Sequence, residues 1–65
     1  MTVEFVPASQ IEAGDVIAHP YSGTKYTVKA VEHRTDGTIE IEYAPSTHGA
    51  LGVTVRSKRL MTRWR

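Results

Sequence analysis

The sequence predicts an all-β fold: a small antiparallel barrel of about five strands with an irregular N-terminal segment. Three observations lead there. Apolar and polar residues alternate in Thr38-Ile39-Glu40-Ile41-Glu42-Tyr43 and again in Gly52-Val53-Thr54-Val55-Arg56, the period-two pattern of half-buried strands. Asp36-Gly37 lies between two alternating runs, and this dipeptide favours a hairpin because it accepts positive φ. The run from Lys25 to Arg34 is the longest strand candidate, and its apolar phase slips by one residue, from Tyr26, Val28 and Ala30 to Val31. A one-residue slip is what a bulge or sharp bend produces, and a small barrel needs one to curl.

The remaining elements follow in chain order. Val3 and Phe5 offer a further strand, whereas Ser9-Gln10-Ile11-Glu12 has capping-box spacing with room only for a turn before Gly14. Asp15-Val16-Ile17-Ala18-His19 reads as a short strand stopped by Pro20. Pro20 to Thr24 is a loop by composition, as is the Pro- and Gly-marked stretch from Ala44 to Ala50. Ser57-Lys58-Arg59 reads as a tight turn leading into a last strand, Leu60 to Trp64. The expected core is Ile11, Val16, Tyr26, Val28, Val31, Ile39, Ile41, Val53, Val55 and Leu60.

Sixty-five residues make one domain, residues 1–65. A chain this short buries only about 60% of the surface its unfolded form exposes. The sequence has no cysteine, so neither disulfides nor thiolate metal sites can staple it. Its apolar residues, 40% of the chain, carry the fold, with self-association as a further aid. No segment approaches the roughly 18 consecutive apolar residues of a membrane span. The first residues lack the basic and apolar regions of a signal peptide, and a cytoplasmic protein is expected.

A net charge of +1 conceals an uneven distribution. Residues 1–45 carry a balance of −4 and residues 46–65 a balance of +5, with no acid in the latter segment. The split points either to an anionic partner for the C-terminal segment or to internal neutralisation of the acidic strands.

Catalytic equipment is sparse. His19, His33 and His48 are 14 and 15 residues apart, without a local pair at ligand spacing, so no metal is expected. The serines fall in turns, and Ser46-Thr47-His48 is a run of loop neighbours rather than an oriented pair. Glu40 and Glu42, two apart on a strand, form its solvated face. Gly49-Ala50-Leu51-Gly52 is too short for a phosphate loop and no helix follows it. The expectation is a non-enzymatic protein with no cofactor.

The constellation above background is Arg56, Lys58, Arg59, Arg63 and Arg65 with Trp64. In an extended last strand Met61, Arg63 and Arg65 share one face, and the expectation is that this face points outward and forms one basic patch. Guanidinium groups suit phosphate, and Trp64 and Tyr21 offer stacking surface.

Residues 11–65 resemble the SH3-like barrel class. The resemblance is carried by Ile11-Glu12-Ala13-Gly14-Asp15-Val16-Ile17, Tyr26-Thr27-Val28-Lys29-Ala30-Val31, Gly37-Thr38-Ile39 and Val53-Thr54-Val55. The Gly-Asp-Val opening and the following Tyr-x-Val-x-x-Val strand also resemble small proteins of actinobacterial bacteriophages. There is a partial likeness to the KOW motif, from which this chain departs: Gly23 precedes Lys25, and no glycine follows it at the basic step. The resemblance implies a binding module acting through an exposed edge or loops, with a protein partner or a second copy as occupant. The alternative is nucleic-acid binding through the basic C-terminal segment, against which stand the pI of about 8.2 and the nearby Glu40 and Glu42.

Overall fold

The longest strand carries the bend that shapes the molecule. Strand β3, Lys25–His33, pairs with β4, Thr38–Tyr43, and the register slips between Val28 and Ala30. The bulge lets Tyr26 and Val28 face inward on one side of the slip and Val31 lean inward on the other, as the shifted apolar phase requires. The computed structural model, which describes residues 2–47 and 49–65, places four further strands around this hairpin. They are β1 (Val3–Pro7), β2 (Val16–Ala18), β5 (Gly52–Arg56) and β6 (Leu60–Trp64). All six form one antiparallel sheet in the order β1-β6-β2-β3-β4-β5.

The fold is therefore all-β and antiparallel, but its strand count is six rather than five. The difference is the N-terminal segment, expected to be irregular, which pairs with β6 from Val3↔Trp64 to Pro7↔Leu60. A 3₁₀ turn over Ala8–Gln10 and a second turn at residues 13–14 lie on the path to β2. The amides of Ala8 and Ser9 donate to the carbonyls of Arg59 and Ser57, fastening that turn to the β5–β6 connection.

Pro7 fits its strand for a reason the ladder supplies. Thr2 and Arg65 exchange backbone hydrogen bonds, so in this antiparallel pair the even residues of β1 bond to β6 and the odd ones point outward. The missing N–H of Pro7 thus falls on the free edge, where no ladder bond is lost.

Ile11, Tyr26, Val28, Ile39, Ile41 and Val55 are buried as expected, joined by Val6, Ala8, Ile17, Tyr43 and Met61. Tyr26 and Tyr43 stack at 4.3 Å between ring centroids. Val16, Val31 and Val53 are only half-buried. Leu60 is a correction: it is 68% exposed, while its neighbour Met61 is buried. The pairing Val6↔Met61 and Ile17↔Arg63 sets β6 with its odd residues inward, the reverse of the expected orientation.

The Asp36-Gly37 turn forms as the dipeptide implies. Gly37 has φ of +86°, a region β-branched residues avoid. The Asp36 carboxylate accepts from the Thr38 amide at 3.0 Å and from its hydroxyl at 2.6 Å. These bonds hold its pKa below the usual carboxylate value, the hydroxyl contributing most. Gly37→Val is expected to lower stability by about 1 kcal/mol or more, read as a fall in the urea midpoint; an unchanged midpoint would remove the turn from the fold's requirements.

Candidate binding surfaces

Arg63, expected on an exposed patch, is 5% exposed and faces the interior. Strand register puts it beside Glu4 on β1 and Ile17 on β2. Its Nε and Nη2 donate to Glu4 Oε1 at 3.3 and 3.1 Å, and Nη1 donates to the Gln10 carbonyl at 3.2 Å and to Asp15 Oδ2 at 3.4 Å. Asp15, also buried, accepts the Glu12 amide at 3.0 Å as well. Arg65 adds a second cation, with Nε 3.6 Å from Asp15 Oδ1 and Nη2 3.7 Å from Glu12. The two terminal arginines therefore neutralise carboxylates of the N-terminal segment rather than forming a patch. The physical reason is that Asp15 is buried and a buried carboxylate requires a cation, while the half-buried Glu4 shares the inner side of β1 with Arg63 across the ladder.

The carboxylates of β3 and β4 have separate partners. Lys29 pairs with Glu42 at 3.4 Å, and Arg34 pairs with both Glu32 and Glu40. Four cations then remain without an ion pair among the described residues: Lys25, Arg56, Lys58 and Arg59. Two of them lie over aromatic rings. Lys25 Nζ is 4.4 Å from the Trp64 ring centroid, and the Arg59 guanidinium is 5.7 Å from that of Tyr21. Of the expected site residues, then, Arg56, Lys58, Arg59 and Tyr21 stay exposed, Trp64 is half-buried, and Arg63 and Arg65 are committed to the acidic cluster.

A shallow pocket of about 310 Å³ opens beside Tyr21 and Arg59, lined also by Ala18, His19, Leu60 and Thr62. Phe5, 73% exposed, pairs with Thr62 across the β1–β6 ladder and so stands on the same outer face. Phe5 and Lys25 are not among the site residues that the sequence suggests. Their alternation with inward neighbours was the available signal, but which phase faces outward depends on pairing with distant strands.

A larger groove of about 690 Å³ runs over the other end of the sheet, along β4, β5 and the loop between them. Its floor is kept low by Gly52, where a Cβ would collide with the Ile41 carbonyl oxygen. Leu51, 84% exposed, stands at the rim with Pro45. Tyr43 N–H donates to the Leu51 carbonyl and Ser57 N–H to that of Gly37. These bonds make the odd residues of β5 the ones joined to β4, so the backbone groups of Gly52 and Thr54 point away from the sheet.

Between the two sites, His19 Nδ1 and the Tyr43 hydroxyl are hydrogen-bonded at 2.8 Å. Three tyrosine rings, Tyr21, Tyr26 and Tyr43, meet the imidazole edge-on. No group of metal-ligating side chains occurs among the described residues, and His48 lies outside them. No helix is long and apolar enough to cross a membrane among the described residues. Comparison with protein-family models, curated proteins and solved structures gives no match, so the functional reading rests on these residues.

Two outcomes are expected. Arg63→Ala takes from the Asp15 carboxylate its buried cation, leaving it the Glu12 amide and the exposed Arg65, and is expected to cost about 3 kcal/mol, whereas Asp15→Asn with Arg63→Met recovers much of that loss; urea unfolding of the single and double variants checks both. Burial, reinforced by Tyr26, pushes the Tyr43 hydroxyl up to about 12. The folded state thus keeps a proton that the unfolded chain releases near 10. Stability is intact below about pH 10 and falls as pH rises toward about 12, and Tyr43 should ionise late in a tyrosinate absorbance titration, a late phase that Tyr43→Phe removes.

Proposed function

We propose that the protein is a non-enzymatic binding module that takes an extended segment of a protein partner along the free edge of β5. The observation that carries this reading is the pair Gly52 and Thr54, whose backbone N–H and C=O groups face away from β4 beside the large groove. An unpaired edge of this kind is a template for one more strand. Leu51 and Pro45 offer apolar contact at the rim. Gly52, which cannot carry a side chain without collision, leaves the floor open to the incoming backbone.

The small-barrel reading of the fold supports the same function. In the order β6-β2-β3-β4-β5 the last strand returns beside the first strand of a meander, an arrangement suited to curling toward an SH3-like barrel. Its edges and connecting loops are then the surfaces left for recognition.

The test is Thr54→Pro. Proline at this position deletes an N–H that points away from β4 and that no strand among the described residues uses, so the thermal melt is expected to change little. Affinity capture from nuclease-treated lysate of the source cells, quantified by mass spectrometry, is expected to retain a protein on the wild type that Thr54→Pro and Leu51→Asp both lose. Equal retention by all three would sink the edge-binding reading.

A further inference from the structure

On the opposite half of the sheet a second surface differs from the β5 groove in chemistry. The outer faces of β1, β6, β2 and the start of β3 present Val3, Phe5, Leu60, Thr62, Trp64, Val16, Ala18 and Lys25 by register, and no carboxylate is among them. Every acidic residue but Asp36, which is held by Thr38, is paired with an arginine or lysine elsewhere. The positive charge left over is therefore concentrated on Lys25 beside Trp64 and on the Arg56-Ser57-Lys58-Arg59 turn beside Tyr21.

We propose that this face binds single-stranded nucleic acid, with bases stacking on Phe5, Tyr21 and Trp64 and phosphates meeting Lys25, Lys58 and Arg59. Three features of the site argue for that ligand. First, aromatic surface is exposed where a core or a folded neighbour would cover it: Phe5 is 73% and Tyr21 74% exposed. Second, two of the three rings already carry a cation on their faces, Lys25 at 4.4 Å from Trp64 and Arg59 at 5.7 Å from Tyr21. A stacking base would take the cation's place on the ring face and free that cation for the adjoining phosphate. Third, the floor between them is made of the small residues Ala18 and Thr62, which line the 310 Å³ pocket and let a flat base approach the sheet. A duplex hides its base faces and cannot use these rings, so the preference is for single strands. An acidic protein segment would satisfy the cations but leaves the stacking rings without a reason for their exposure.

The face uses different residues from the β5 groove, so the two readings stand or fall separately. The experiment is fluorescence anisotropy with labelled mixed-sequence DNA and RNA strands of about twelve nucleotides, a length within the site sizes of such surfaces. The matching duplex and polyglutamate serve as competitors. The fluorescence of Trp64, the sole tryptophan, is followed in parallel. Single strands are expected to bind and to quench Trp64. With about three phosphate contacts, affinity falls about 20-fold between about 50 and about 200 mM salt. Phe5→Ala and Tyr21→Ala are each expected to weaken binding by about fivefold or more, with far-UV circular dichroism unchanged. Lys25→Glu with Arg59→Glu is expected to abolish binding, and Lys29→Gln, on the other half of the sheet, to leave it unchanged. The proposal is overturned by absence of single-strand binding at the lower salt. It is equally overturned if Trp64 does not respond, if the aromatic variants bind like the wild type, or if duplex or polyglutamate competes as well as the single strand.

Discussion

A guanidinium buried beneath β6 ties together parts of the chain that are far apart in sequence. Arg63 reaches Glu4 on β1, the Gln10 carbonyl at the end of the 3₁₀ turn, and Asp15 just before β2. Each of the three nitrogens of the planar group has an acceptor, and among the described residues no buried side-chain nitrogen or oxygen lacks a partner. Placing a charge in so small an interior is costly, and it is tolerated only because the acceptors are already arranged around it. The consequence is orientation: once Arg63 points inward, Met61 follows it, and Leu60, Thr62 and Trp64 must face out.

That orientation also decides what the surface looks like. The arginines nearest the C-terminus are used up by Glu4, Glu12 and Asp15, while Lys29 and Arg34 serve Glu42, Glu32 and Glu40. Among the described residues the cations of the β5–β6 turn have no such counterpart. Charge neutralisation and an exposed basic surface, which look like competing explanations of the C-terminal segment, are therefore divided between its two ends. The exposed aromatic residues lie beside the end that is left uncompensated.

The two proposed surfaces have different physical origins. The β5 site comes from backbone, an edge whose outward groups have no strand to bond, next to a glycine that the Ile41 carbonyl makes obligatory. The face around Phe5, Tyr21 and Trp64 comes from side chains, and its edge strand is partly closed to augmentation because Pro7 presents no N–H there. A protein strand and a nucleic-acid strand would thus find different ends of the same sheet, one offering hydrogen bonds and the other rings and charge.

The local features are legible in the amino-acid order. The alternation in Thr38–Tyr43 and Gly52–Arg56, the phase slip that became the Val28–Ala30 bulge, and the positive φ of Gly37 all follow from neighbouring residues alone, because strand pleat and turn geometry are short-range constraints. Ile39, Ile41 and Tyr43 were placed inward correctly since glutamates occupy the alternate positions. In β6 the alternation offered no such contrast: Leu60 and Trp64 on one face looked more like a core than Met61 and two arginines on the other. Long-range packing settles that case, and with it the added strand β1, because what makes an inward arginine acceptable is the carboxylates of Glu4 and Asp15. Those groups come from the far end of the chain, and a period-two pattern defines two faces without saying which of them will meet a distant charge.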